Sequence, residues 1–282
     1  MPENTKDTVE KLLGATIQHG ALSNRIYLMK IDDAPETELI PALYELAETN
    51  GYTKIFAKVP AGRAQVFLSA GYRKEAHVQG FFQGEEDAMF LGYYPDPARA
   101  EEANRDELEQ IVELAGKKRG KGTAGKPPPV DVVLRRCGEE EVHEMSKVYR
   151  DVFPSYPFPI HDPAYLRKTM GTHIVYFGAE RDGKLIALSS AEMDEKARNV
   201  EMTDFATLPD ARGGGLAVHL LSKMEDAMRQ RGILTAYTIA RAVSAGMNIT
   251  FAKLAYIYGG RLVNNTNISG NIESMNVWYK PL

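Results

Sequence analysis

The chain has 282 residues, 44% of them hydrophobic, enough for a sizeable core in one large domain or two ordinary ones. Thirty-four Lys and Arg against 38 Asp and Glu leave a formal charge of −4, so no global positive field exists to hold a nucleic acid. A single cysteine, Cys137, excludes an intrachain disulfide framework and a thiolate zinc site, and no apolar run reaches the ~18 residues that a membrane span needs.

The opening "MPENTKDTVEKLLG" has neither the basic nor the apolar region of an export signal, so a soluble, cytoplasmic protein is expected, a monomer or homodimer without membrane partners. The triplets "NIT" at Asn248 and "NIS" at Asn267 then match the glycosylation pattern by chance.

Residues 36–94 read in order as a helix stopped by Gly ("ETELIPALYELAETNG"), a strand ("YTKIFAKVP"), a helix ("AGRAQVFLSAGY") and two strands ("KEAHVQGFF", "DAMFLGYY"). "DPARAEEANRDELEQIVELAGKK" reads as a helix with Leu108, Ile111, Val112 and Ala115 on one stripe. "KKRGKGTAGKPPPV", residues 117–130, is basic, rich in Gly and Pro and free of acids, which reads as a linker between a region 1–116 and a domain 131–282.

After the linker, "VDVVLRRC" reads as a strand and "GEEEVHEMSKVYRDVF" as a helix on Val142, Met145, Val148 and Tyr149. The loop "PSYPFPIHDP" precedes a short helix "AYLRKTM" and three strands, "HIVYFGAE", "KLIALSSAEM" and "NVEMTDFATL". Then come the glycine-rich helix "DARGGGLAVHLLSKMEDAMRQRG", a strand "ILTAYTIA", a helix "GMNITFAKLAYIYGG" with a Gly stop, and a closing pair of strands, "RLVNNTNIS" and "SMNVWYK". The order of elements over 216–280 repeats that over 36–94, although the N-terminal copy lacks the glycines.

Three consecutive glycines before a helix cost conformational entropy and call for a reason. A helix N-terminus leaves backbone N–H groups unpaired and carries partial positive charge, so glycines there expose amides to a diphosphate. A tight strand-to-helix turn packed on a neighbour is the competing explanation. The Lys and Ser or Thr of a Walker loop are missing, and Val218 stands where a dinucleotide fingerprint has its third glycine.

What remains is R-x-x-G-x-A, made by Arg212, Gly215 and Ala217 after a strand ending "FATLP". It resembles motif A of the GNAT-type N-acetyltransferases, and the element order of 131–282 is similar to that whole fold. The resemblance implies a mixed α/β (α+β) sheet: a GNAT acetyltransferase fold preceded by a degenerate N-terminal half-domain resembling the second half of such a fold. It implies acetyl-CoA as cosubstrate, its pyrophosphate on the amides of Arg212, Gly213, Gly214, Gly215, Leu216 and Ala217. The acetyl carbonyl would lie near Phe205, Ala206 and Thr207. The strings "YRDVFPSYPFPIHDPAYLRKTM" and "GRLVNNTNISGNIESMNVWYKPL" resemble the β-lysine N-acetyltransferases, which acetylate the ε-amino group of β-lysine to make a compatible solute. Direct transfer to a small amine without a metal is therefore expected; another amine such as lysine or a polyamine, a protein N-terminus, or a non-catalytic acyl-CoA sensor are the alternatives.

Amine acetylation needs a neutral amine, and an ammonium with pKa near ~10.4 needs a base. Strand alternation separates Glu201 and Thr203 from Met202 and Asp204, so Glu201 and Asp204 are expected on opposite faces. Glu201 is the first candidate, with Asp204 and Glu192 behind it; each also reads as an ordinary solvated strand acid. The family often places an acidic Tyr seven residues after an Asn. Counting from Asn248, assigned to the cofactor side, that position is Ala255, so Tyr256 and then Tyr258 are the candidates, with plain packing as the rival reading. Tyr156, Phe158 and His161 in the proline-rich loop, and Asn264 and Asn265 near the last strands, are candidates for the acceptor pocket, although Asn also serves turns.

Overall fold

The computed structural model describes residues 7–123, 125–268 and 270–282. The first residues of the N-terminal stretch, Ala124 of the basic tract and Ser269 of the "NIS" triplet lie outside the described residues.

The chain begins with an antiparallel meander that sequence patterning did not anticipate: β1 (Thr8–Leu12), β2 (Ala15–Gly20) and β3 (Arg25–Lys30). Helix α1 (Glu36–Asn50) buries Leu39, Ile40, Leu43 and Ala47 and stops at Gly51, whose φ of 66° suits glycine. It leads to β4 (Lys54–Pro60), parallel to β3, then α2 (Ala64–Ser69) and the hairpin β5 (Arg73–Phe82) and β6 (Glu86–Tyr93). Strand β6 inserts between β4 and β5.

Helix α3 (Arg105–Gly116) packs on α7 (Ala245–Lys253) of the C-terminal region, and Ala115 joins that region's core. The basic tract that follows is tied down: Gly120 and Gly122 donate their amides to the carbonyls of Ala252 and Lys253 at 3.0 and 2.8 Å.

Next come β7 (Val133–Arg136), α4 (Val142–Val152) and α5 (Pro163–Met170), the last capped by Asp162. An antiparallel series β8 (Ile174–Arg181), β9 (Lys184–Asp194), β10 (Asn199–Thr207) leads to α6 (Leu216–Gln230). Strand β11 (Thr235–Arg241) lies parallel to β10, and after α7 the chain closes with β12 (Ile257–Ile268) and β13 (Asn271–Pro281). The helix expected over 246–260 is therefore short. Ala255 takes a left-handed φ of 70°, and the Tyr256 amide returns to the Phe251 carbonyl at 3.2 Å, closing the helix before "IYGG". Those glycines belong to a strand.

The thirteen strands of the described residues form one sheet, ordered β1-β2-β3-β4-β6-β5-β12-β13-β11-β10-β9-β8-β7. Read outward from the β5–β12 joint, the two runs match strand for strand, β1–β6 answering β8–β13. The repeat thus extends beyond residues 36–94 to include the meander. Equivalent strands meet antiparallel at the joint, as a pseudo-two-fold requires. The joint is narrow, a single Gly260–Ala76 pairing. A Cβ on Gly260 would stand 2.2 Å from the Glu75 carbonyl oxygen, and one on Gly259 2.6 Å from that of His77, so only glycine lets the strands cross there.

A flat sheet would put β3 and β9 nearly ~40 Å apart at the usual strand spacing. Instead Lys30 and Asp194 form an ion pair at 2.7 Å, so the sheet folds over at the joint into two facing leaves. Between them Tyr27, Phe56, Phe81 and Phe90 of one leaf pack against Tyr237, Met275, Val277 and Tyr279 of the other.

Candidate active site

The leaves enclose a cavity of about 550 Å³, walled from the N-terminal leaf by Arg25, Tyr27, Phe56 and Lys58, and from the other by strand residues and the loop before α5. Its chemistry begins in β10. Parallel pairing with β11 runs only through Glu201 and Tyr237, after which the two strands part. Between Thr203 and Ala206 the register with β9 slips, and Asp204 adopts a left-handed φ of 54°. This bulge resets the alternation. Glu201, Thr203 and Asp204 all line the same cavity as Glu192, so the expectation of opposite faces for Glu201 and Asp204 is corrected.

The three acids have different surroundings. Burial and the nearby Glu192 push the Glu201 carboxyl up to about 7, with Lys58 and the Tyr237 hydroxyl pulling the other way. Asp204 is also raised by burial, against hydrogen bonds donated by Ser190 (2.5 Å) and Tyr156 (2.6 Å) that fix both oxygens. Glu192 is the most open, its side chain 39% exposed and 3.6 Å from His173. A carboxyl that titrates near neutrality and keeps free acceptor capacity is suited to general-base work. Glu201 answers that description; Asp204 is already engaged.

Opposite stands Lys58, its ammonium over the rings of Phe81, Tyr237 and Tyr27 at 5.3, 5.6 and 6.0 Å. Burial favours loss of its proton, but Tyr27, Glu201 and Glu192 more than offset this and hold it charged.

The strand that carries the acids runs on into the glycine turn. Gly213 and Gly215 have φ of 87° and 73°, and neither meets any atom within 4 Å of the place a Cβ would take. Arg212 folds back to donate from Nε to the Thr207 carbonyl at 3.1 Å, leaving the turn uncovered. Among the described residues, the amides of Gly213, Gly214, Gly215, Leu216 and Ala217 have no backbone or side-chain acceptor, whereas Val218 already donates to Gly215. Leu216 keeps its side chain in the core and offers only its amide. A row of orphan donors on an open helix N-terminus fits a phosphate-bearing cosubstrate.

A model of the acetyltransferase (GNAT) family matches residues 141–250. Over its length the chain is 40% identical to the beta-lysine N(6)-acetyltransferase of Methanococcus maripaludis, covering 94% of this chain and 95% of that protein. The protein of the same name from Methanosarcina mazei is 31% identical, covering 87% and 97%. This chain is a member of the GNAT acetyltransferase family. The N-acetyltransferase YodP of Bacillus subtilis is a further relative, 30% identical over 95% of this chain and 96% of that one. GNAT acetyltransferases use acetyl-CoA, and the open turn before α6 suits that cosubstrate.

Several residues expected at the site of this GNAT enzyme stand elsewhere. Tyr256 is fully buried, packed on Phe251 on the side of α6 and facing Glu225, its hydroxyl without a hydrogen-bond partner among the described residues. Tyr258 donates to Asn276 at 3.4 Å. The early end of α7 moves both off the helix, and neither lines the cavity of the acids. Asn248 is saturated within the protein: its amide group donates to the Arg241 and Ser244 carbonyls, and its oxygen accepts from Asn276 and Trp278, both at 2.8 Å. It pins β11, α7 and β13 together and has nothing left for a cofactor. Asn264, left-handed at φ 42°, donates to the carbonyls of Arg99 and Glu101, away from the cavity. His161 likewise does not line it; its Nε2 is buried without a partner among the described residues. Tyr156, Phe158 and Asn265 do line it.

Sequence reading missed Arg25, Tyr27, Lys58 and Tyr237. A signal existed: Lys58 interrupts the otherwise apolar end of "KIFAKVP", and a cation on a buried strand face needs a reason. No helix among the described residues is long and apolar enough to cross a membrane.

Proposed function

We propose that this acetyltransferase transfers acetyl directly from acetyl-CoA to the ε-amino group of β-lysine, with Glu201 as the base. The observation that carries the acceptor is the full-length likeness to two beta-lysine N(6)-acetyltransferases. Bound acetyl-CoA supplies an activated acetyl thioester. The amides from Gly213 to Ala217 would hold its pyrophosphate, and the parted edge of β10 around Phe205, Ala206 and Thr207 would face the acyl group.

Glu192 and Glu201 attract the ammonium of the acceptor into the cavity. Glu201, raised to about 7, accepts its proton, and the enclosing leaves limit water. Lys58 steadies the negative charge of Glu201 in the resting enzyme. The bulge brings Asp204, tied to Ser190 and Tyr156, to the face that Glu201 and its strand partner Glu192 already share. Acetylation removes one positive charge from a diamine acid, leaving a product with one ammonium and one carboxylate, as a compatible solute requires.

The test is purified protein with acetyl-CoA and a panel of amines, with free thiol followed over time. Thiol release with β-lysine well above that with spermidine or a peptide N-terminus supports the reading. Release with all amines alike replaces it with a general amine acetyltransferase, and tight acetyl-CoA binding without turnover replaces it with a sensor.

A further inference from the structure

Arg25 is a buried cation with no ion-pair partner among the described residues. It is 5% exposed, and among the described residues its Nε has no acceptor. Its Nη1 donates to the Asn265 carbonyl at 2.7 Å and to Thr266 Oγ1 at 3.1 Å, and the guanidinium lies 5.4 and 5.6 Å from the ring centres of Tyr27 and Phe56. Asp7 and Glu75 act on it only at longer range. Burial pulls its pKa down to about 10, which leaves it charged at neutral pH. An unpaired buried charge is costly unless something neutralises it.

Beside it, Asn265 is 1% exposed and its Oδ1 also lacks a partner among the described residues. Both residues line the cavity, one from each leaf. An unsatisfied cation and an unsatisfied acceptor thus stand side by side, bridged by the Arg25 hydrogen bond to the Asn265 main chain.

We propose that Arg25 and Asn265 form the subsite for the amino-acid end of the acceptor, the guanidinium taking the carboxylate and Asn265 Oδ1 the β-ammonium. The subsite rests on the reading of a β-amino acid acceptor given above. The spacing along the leaf agrees with it. Arg25 lies opposite Lys54 in the β3–β4 register, and Lys58 is four residues farther along β4, roughly 13 Å of extended strand. Lys58 touches Tyr237, the strand partner of Glu201. An extended β-lysine spans about 7–8 Å from carboxyl carbon to ε-nitrogen and adds a hydrogen bond of about 3 Å at each end. One end therefore meets Arg25 while the other reaches the acids.

Matched amines test the subsite: β-lysine against 1,4-diaminopentane, and lysine against 1,5-diaminopentane, each pair differing only by the carboxylate. Turnover is followed by thiol release and affinity by calorimetry. Wild type is expected to favour the acid in each pair. Arg25→Gln is expected to raise KM for β-lysine about 10–100-fold with little change in kcat, and to leave 1,4-diaminopentane and acetyl-CoA affinity unaltered. Retention of the wild-type preference in Arg25→Gln, or an equal loss for both members of a pair, overturns the proposal. So does a wild type indifferent to the carboxylate in both pairs.

If wild type accepts lysine but not β-lysine, the acceptor reading falls, and the lysine pair still decides on Arg25. Should Arg25→Gln fail to fold, Arg25→Lys keeps the charge without the planar geometry and is expected to show an intermediate rise in KM. Asn265→Ala is expected to lose discrimination between β-lysine and 6-aminohexanoate, which lacks the β-amino group; full retention removes Asn265 from the subsite.

Discussion

Lys30 and Asp194 lie 2.7 Å apart at the rim of the cavity, although their strands stand eight places apart in one sheet. The pair latches the two leaves. Because the Lys30 side chain is 55% exposed, its worth to stability is small, and Lys30→Ala is expected to cost less than about 1 kcal/mol in denaturant unfolding. Its effect should appear in the acceptor site: a rise of about 3–10-fold in acceptor KM, reproduced in wild type at high salt. An acceptor KM insensitive to both changes would remove the latch.

Glu201→Gln is expected to lower kcat by about 10²–10⁴-fold while acetyl-CoA affinity is retained. In wild type, kcat/KM should rise with pH through about 7 as the Glu201 carboxyl ionises, and the variant should lose that limb. A variant with wild-type kcat would hand the base to another acid.

The same substitution has a stability consequence with a definite sign. Glu201 holds its proton more tightly folded, at about 7, than its ordinary 4.5, so its contribution is present at low pH and is lost as pH rises from 4.5 through 7. Glu201→Gln removes that loss. It should be more stable than wild type by about 1–3 kcal/mol at pH 8, with the difference shrinking toward pH 4, measured by denaturant unfolding.

At the turn before α6, Gly215→Ala carries only the strain of a side chain at φ 73°, about 1 kcal/mol, and should still bind acetyl-CoA. Gly215→Glu adds a carboxylate beside the orphan amides and should weaken binding at least ~100-fold in calorimetry. Equal affinity in both variants would show that the cradle lies elsewhere.

The joint predicts a different kind of damage. Gly260→Ala sets a Cβ 2.2 Å from the Glu75 carbonyl oxygen, where backbone must move, and should cost at least ~2–3 kcal/mol in unfolding free energy. Gly246→Ala, in α7 with nothing near its Cβ, is the matched control and should be neutral or stabilising. Equal stability of the two variants would mean that the crossing is not close in solution.

Much of the chain was legible from local pattern. Apolar spacing placed α1, α4 and α6, alternation and turn chemistry placed β4 to β6 and β8 to β11, and the glycines before Leu216 pointed to an exposed helix start, because such features depend on residues within one or two turns of each other. Three things were not legible. Asp204 shares a face with Glu201 only because a bulge shifts strand parity, and register is set by the neighbouring strand. Tyr256 left the expected helix because Ala255 adopts a left-handed conformation usually reserved for glycine. Arg25 and Lys58 line the same cavity as the acids only because the sheet folds at Gly260, setting strands that are distant in the chain on facing walls. Periodicity along a chain reports which face of an element is buried; what that face looks at is decided by long-range pairing, which no short stretch of sequence contains.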